Sequence, residues 1–225
     1  MTAFPHSEAL DGRTASLLSR IAGEDAFRDF YLAGETALAL QLGHRMSLDL
    51  DLFSERPWSA GGVLDAARSL GPTTVDLESA GTLVGSIGGV RVSFFHYPYP
   101  LLEPPIRFPG VTLGAPPSIP LAGLLDIACM KLVAVSQRGS RKDFIDLYFL
   151  DRAGIDVRPA VQALPRKMLG VDHNLVHHIR SLAYFAGAES EPEPRMLVPF
   201  EWRQARDYAL AESQTLLQEV LGPSA

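Results

Sequence analysis

FYLAGETALALQLGHRMSLDLDLFS, residues Phe30 to Ser54, is the stretch on which the reading of this chain turns. The apolar run Phe30 to Ala33 has strand character and halts at Gly34; a helical segment over Thr36 to Leu42 follows, and Gly43 stands where a left-handed C-terminal cap belongs. From Ser47 to Phe53 the residues alternate polar and apolar, the period of a half-buried strand. Such a strand sends Asp49 and Asp51 to one face and Leu48, Leu50 and Leu52 to the other. Two carboxylates side by side repel unless a cation or a shared proton relieves them. A hard divalent ion suits them, because it takes oxygen ligands and leaves positions for water and phosphate. A solvated edge strand shows the same triplet. What separates the two is Gly34, which lets a ligand approach the backbone at the head of a helix whose free N–H groups attract phosphate oxygens.

With both features in one stretch, the chain resembles the nucleotidyltransferases whose small palm domain carries a glycine turn, a helix and an Asp-x-Asp strand. It is most similar to the AbiEii/AbiGii toxin branch, through Gly34-Glu35-Thr36-Ala37-Leu38 and through His44, Arg45, Ser47, Asp49 and Asp51. Glu35 departs from the small residue that the family places there. The resemblance implies an α+β fold, a mixed-sheet palm (an α/β-like N-terminal lobe) with a helical C-terminal lobe. It also implies Mg²⁺, or Mn²⁺ in its place, on Asp49 and Asp51, and nucleotide contacts from Gly34, Thr36, Arg45 and Ser47.

The 225 residues suffice for one domain or two small lobes, and 47% hydrophobic content argues against disorder. A net charge of −6 gives no general pull toward nucleic acid, so any RNA contact must rest on a local basic patch. One cysteine, Cys129, excludes an internal disulfide and fits a cytoplasmic setting; it reads as a small core residue. Neither a signal peptide nor an apolar run long enough to span a bilayer is visible.

Residues 7 to 22 read as an amphipathic helix with Leu10, Leu17, Leu18 and Ile21 on its buried side, and Ala60 to Leu70 as a short helix closed by Gly71-Pro72. Strands are expected over Thr73 to Glu78, Thr82 to Ile87 and Val90 to His96, the last two joined by the two-residue turn Gly88-Gly89. The palm fold normally supplies a third carboxylate from a later strand, and the position aligned to it is Ser93. Asp76 and Glu78 are the acids that a neighbouring strand offers instead. The proline-rich run Pro98 to Pro120, with one short strand at Val111 to Leu113, is read as a connector. The expected lobes are therefore residues 1–117 and 118–225, the second completing the nucleotide site.

Helix Leu121 to Gln137 is apolar around Lys131, whose amine needs a partner or an escape to the surface. Next come Arg138, Gly139, Ser140 as an N-cap, and a helix over Arg141 to Leu150 with Asp143 and Asp146 on one side. This segment resembles the family's Arg-Gly-x-x-Lys/Arg-Asp-x-x-Asp-Leu motif. The resemblance implies that Lys131, Arg138 and Lys142 meet the triphosphate, that Asp143 orients them or assists proton removal, and that Asp146 is structural. Arg138, Arg141, Lys142, Arg152, Arg158, Arg166 and Lys167 form a basic run that could face RNA. Helices are read over Asp172 to Ala186 and Phe200 to Leu221, with an acidic loop over Gly187 to Pro194. His173, His177 and His178 read as surface histidines.

The function implied is Mg²⁺-dependent transfer of a nucleoside monophosphate (NMP) from a nucleoside triphosphate (NTP) to an acceptor hydroxyl, with RNA as acceptor and an antitoxin protein as partner. A nucleotide- or partner-binding relative of low activity, motivated by Glu35 and Ser93, and a metal-dependent glycosyltransferase are the alternatives.

Overall fold

The computed structural model describes residues 6–107, 119–171 and 173–221. They fall into two compact units, Met1–Gly123 and Leu124–Ala225. The boundary expected after residue 117, and the short strand expected at 111 to 113, lie outside the described residues.

In the first unit the expected N-terminal helix is divided. A 3₁₀ turn over Ser7–Ala9 precedes α1, Gly12–Ala22, because the Asp11 carboxylate accepts the Thr14 N–H at 2.7 Å and starts a new helix there. Leu10, Leu17, Leu18 and Ile21 are all buried. Strand β1 (Tyr31–Leu32) leads directly into α2 (Gly34–Leu42). This helix begins at Gly34, φ +66°, and ends at Gly43, φ +64°, both in the left-handed region that glycine enters freely. The buried run Glu35 to Leu40 makes α2 a core helix, so it shows no polar face.

Strand β2 is Leu50–Ser54, and Ala60–Leu70 forms α3. Strands β3 (Thr73–Ser79), β4 (Thr82–Ile87) and β5 (Val90–His96) complete a five-stranded mixed sheet ordered β1-β2-β5-β4-β3 among the described residues. Among the strand pairs of the described residues β2 and β5 run parallel and the others antiparallel, and a parallel bridge joins Leu32 to Leu121. Gly88 and Gly89, both at positive φ, close the β4–β5 hairpin as a two-residue turn. Phe27 stacks on Phe94 at 5.3 Å, and Phe30 and Trp58 pack around the same ring, anchoring β5 from beneath.

The second unit is helical: α4 (Leu124–Gln137), α5 (Arg141–Arg152), α6 (Val157–Lys167), α7 (Leu175–Ser181), α8 (Ala186–Ser190) and α9 (Trp202–Leu221). Helix α6 has no counterpart among the expected segments. Its prolines obscure the pattern, yet Pro159 sits in the first turn, where its missing N–H costs nothing, and Asp156 caps the start through the Arg158 N–H. The loop expected over residues 187 to 194 instead begins as α8.

Candidate active site

The glycine turn and the aspartate strand meet. A side chain added at Gly34 would stand 3.4 Å from Asp51 Oδ2, so the head of α2 and this carboxylate share one small space. Asp51 lies in β2, between buried Leu50 and Leu52, and is itself half-buried. Asp49 precedes the strand. That shifts one expected feature, since Leu48, assigned to the apolar face, is 56% exposed while Leu50 and Leu52 are fully buried. The alternation breaks because the chain before Leu50 is held by other bonds. The Ser47 N–H donates to the Ala9 carbonyl, and the Thr36 hydroxyl bonds both Ser47 Oγ, at 2.6 Å, and the Asp49 carbonyl.

Thr36 and Ser47 are therefore buried fasteners between α2 and the Asp49 backbone. Arg45 is 2% exposed and turned inward, where its guanidinium donates to Glu35 Oε2 at 3.0 Å and to the Met46 carbonyl. All three were expected at the nucleotide. In the structure their bonds tie α2 to the chain that leads into β2. The same pair accounts for Glu35, whose charge faces Arg45.

Ser93 of β5 is the parallel register partner of Asp51, as the alignment of the third carboxylate position requires. Asp76 and Glu78 do not substitute for it. They lie on β3, which pairs only with β4 and is separated from β2 by two strands, and Asp76 is engaged with Arg91 at 3.6 Å. Among the described residues no group of three or more His, Cys, Asp or Glu converges as a metal cage. Two carboxylates beside a glycine that leaves room for phosphate fit Mg²⁺ or Mn²⁺ nonetheless, because such ions commonly draw most of their ligands from water and substrate. The protein's share of such a site is Asp49 and Asp51.

In the helical unit the second motif forms a closed ion cluster. Lys131 is 3% exposed, and its Nζ lies 2.9 Å from Asp143 Oδ1 and 2.5 Å from Asp146 Oδ2. Arg138 grips Asp143 with both arms of its fork, Nε at 2.7 Å and Nη2 at 2.9 Å. Burial pushes the Asp143 carboxyl up, but Lys131 and the Arg138 fork outweigh it and hold the group below the usual carboxylate range. A carboxylate so held keeps Lys131 and the Arg138 fork in fixed positions around it. Lys131, expected at the triphosphate, is turned to the two aspartates; Arg138, with a side chain 57% exposed, is the cation that the cluster presents. Lys142 is half-buried at the start of α5.

Other sequence expectations are corrected here. Ser140 stands at the N-cap, but the free N–H of Arg141 is taken by Glu191, which also accepts the Ser140 hydroxyl at 2.6 Å. The basic run does not form one surface. Lys167 is fully buried against Asp126 at 2.7 Å, Arg141 donates to the Ala188 and Glu189 carbonyls, and Arg158 pairs with Glu219. Neither the Asp126–Lys167 pair nor the Glu191 cap was anticipated, since both join residues far apart in the sequence. Burial raises the Cys129 thiol to about 12, consistent with a core residue.

Against known families, residues 86–218 match the family model described as nucleotidyl transferase AbiEii toxin, type IV TA (toxin–antitoxin) system. The chain belongs to the AbiEii nucleotidyltransferase toxin family. The uncharacterized protein aq_aa25 of Aquifex aeolicus (strain VF5) is 39% identical over 177 residues, 77% of this chain and 82% of that protein. MenT4, a nucleotidyltransferase toxin from Mycobacterium tuberculosis H37Rv, superimposes with a TM-score of 0.63 at 16% identity. The superposition covers 90% of this chain and 82% of MenT4, a likeness of fold.

As an AbiEii member the chain is a nucleotidyltransferase toxin of a type IV toxin–antitoxin system, with a nucleotide substrate and an antitoxin counterpart. This sets aside the glycosyltransferase alternative. The family match begins at Ser86, so it covers Ser93 and the whole Lys131 to Asp146 cluster, while Gly34, Asp49 and Asp51 lie before it. Among the described residues no helix is long and apolar enough to cross a membrane.

Proposed function

We propose that this AbiEii nucleotidyltransferase transfers a nucleoside monophosphate from an NTP to a hydroxyl of an RNA acceptor in the cytoplasm, using Mg²⁺ or Mn²⁺ on Asp49 and Asp51. The observation that carries this reading is the abutment of Gly34, at the head of α2, on the Asp51 carboxylate. A phosphate-attracting helix terminus and a cation-attracting carboxylate in one space suit a metal-bound triphosphate.

When bound, the cation supplies charge neutralisation at the phosphate oxygens and makes the incoming hydroxyl more acidic. The protein's own part is positioning and charge. Gly34 admits the phosphate to the backbone. Thr36 and Ser47 act through the Asp49 backbone, and Arg45 through Glu35. Arg138 and Lys142 offset triphosphate charge, while Lys131, Asp143 and Asp146 fix the Arg138 fork. In the transfer, the acceptor oxygen bonds to the α-phosphorus, the bond to the bridging oxygen breaks, pyrophosphate departs with the electron pair, and the hydroxyl proton passes to solvent. The Glu35–Arg45 pair, which gives the Glu35 charge a cationic partner, supports this reading over the relative of low activity that Glu35 and Ser93 motivate.

The test incubates purified protein with each α-labelled NTP, total RNA and Mg²⁺ or Mn²⁺. Label enters RNA in this reading and is lost in Asp51→Asn. Label on protein alone would overturn the acceptor, and no label from any NTP with either metal would overturn the reading.

A further inference from the structure

The helical unit holds a cleft of about 440 Å³, a volume within the usual range of small-ligand sites. Its walls are the end of α4, the turn at Arg138 and Gly139, α7 with His177 and Arg180, and Tyr184. Gly187 closes in behind, where an added side chain would meet the Arg138 and Gly139 carbonyls at 3.6 Å.

Three features of this cleft are unusual together. No acidic residue lines it, in a chain of net charge −6. Arg180 forms no ion pair among the described residues, whereas Arg138, on the opposite wall, turns its fork to Asp143. Tyr184 is 69% exposed and stacks on no aromatic ring among the described residues. An unstacked aromatic face beside a guanidinium is the pairing that single-stranded nucleic acid uses, the ring taking a base and the cation its phosphate.

We propose that this cleft grips the acceptor RNA strand, with a base stacked on Tyr184 and a backbone phosphate on Arg180. The proposal deepens the reading above and rests on it, since it names where that acceptor is held. Both residues lie outside the groups assigned to nucleotide transfer. Arg138 joins the two roles, with its fork on Asp143 and its residue on the cleft wall.

The test measures binding of a short unstructured RNA oligomer to the full chain, without NTP and in a chelator, across a salt series. Tyr184→Ala should weaken binding about tenfold at unchanged salt slope, and Tyr184→Phe should restore it. Arg180→Gln should lower the slope of log affinity against log salt by roughly 0.7, the share of one phosphate contact on a single strand. Both variants should raise the KM for RNA and leave the KM for NTP unchanged. Wild-type protein that does not bind the oligomer, variants that bind like wild type, or an equal loss of NTP affinity would each overturn the proposal. Protein that binds RNA through Tyr184 yet transfers nothing would instead sink the catalytic reading and leave this one standing.

Discussion

The molecule carries two pairs of aspartates, and they differ in everything except chemistry. Asp49 and Asp51 are two apart at the start of a strand, half-buried, beside a glycine. Asp143 and Asp146 are three apart on a helix, fully buried, with Lys131 between them and Arg138 on the outer side. The first pair lies in a setting that a metal-bound substrate can complete. The second is held inside the helical unit, against the Lys131 amine and the Arg138 fork. Burial and the element that carries them thus distinguish the two pairs, where residue type does not.

The comparison breaks most visibly at Asp51. Asp51→Asn should lower NMP transfer about a thousandfold, roughly 4 kcal/mol in barrier, with thermal stability nearly unchanged. An equally large fall in melting temperature would make Asp51 architectural. Lys131→Met should do the reverse. It removes the amine that two buried carboxylates share and should cost about 3–5 kcal/mol of stability by denaturant titration. A variant as stable as wild type would show that the cluster contributes nothing to the fold.

Acid sharpens the same contrast. Asp143 is held below its unfolded value of about 3.9, so its contribution is complete above that value and is lost as pH falls through the lower, folded one. Melting temperatures followed from pH 6 downward should drop steeply below about pH 4, and Asp143→Asn should lack that portion of the drop. The smallest effect is expected at Ser93→Asp, which adds a third carboxylate beside Asp51. Without metal it should destabilise by about 1 kcal/mol, and Mg²⁺ should reverse this, read as a metal-dependent rise in melting temperature larger than that of wild type.

The same contrast explains what the sequence could reveal. Helix α3 and the β4–β5 hairpin were legible to the residue because glycine, proline and alternation mark their ends locally. The register of Ser93 against Asp51 was legible through the resemblance. Arg45 was not, for its partner is set by how α2 and the chain before β2 fold together, which no spacing reports. Lys131 was half legible. Its isolation in an apolar helix demanded a partner, and Asp143 and Asp146 of the next helix supply one that no spacing had singled out. Leu48 failed for the opposite reason, a local pattern overridden by the Ser47 and Thr36 bonds.

The parallel pairing of β2 with β5 has a consequence for the order of events during synthesis. The β3–β4–β5 meander can zip through near neighbours and β2 can pair early with β1, but the other edge of β2 waits for β5, across a larger closure entropy. The strand bearing Asp51 is thus enclosed on both edges only after β5 has been made.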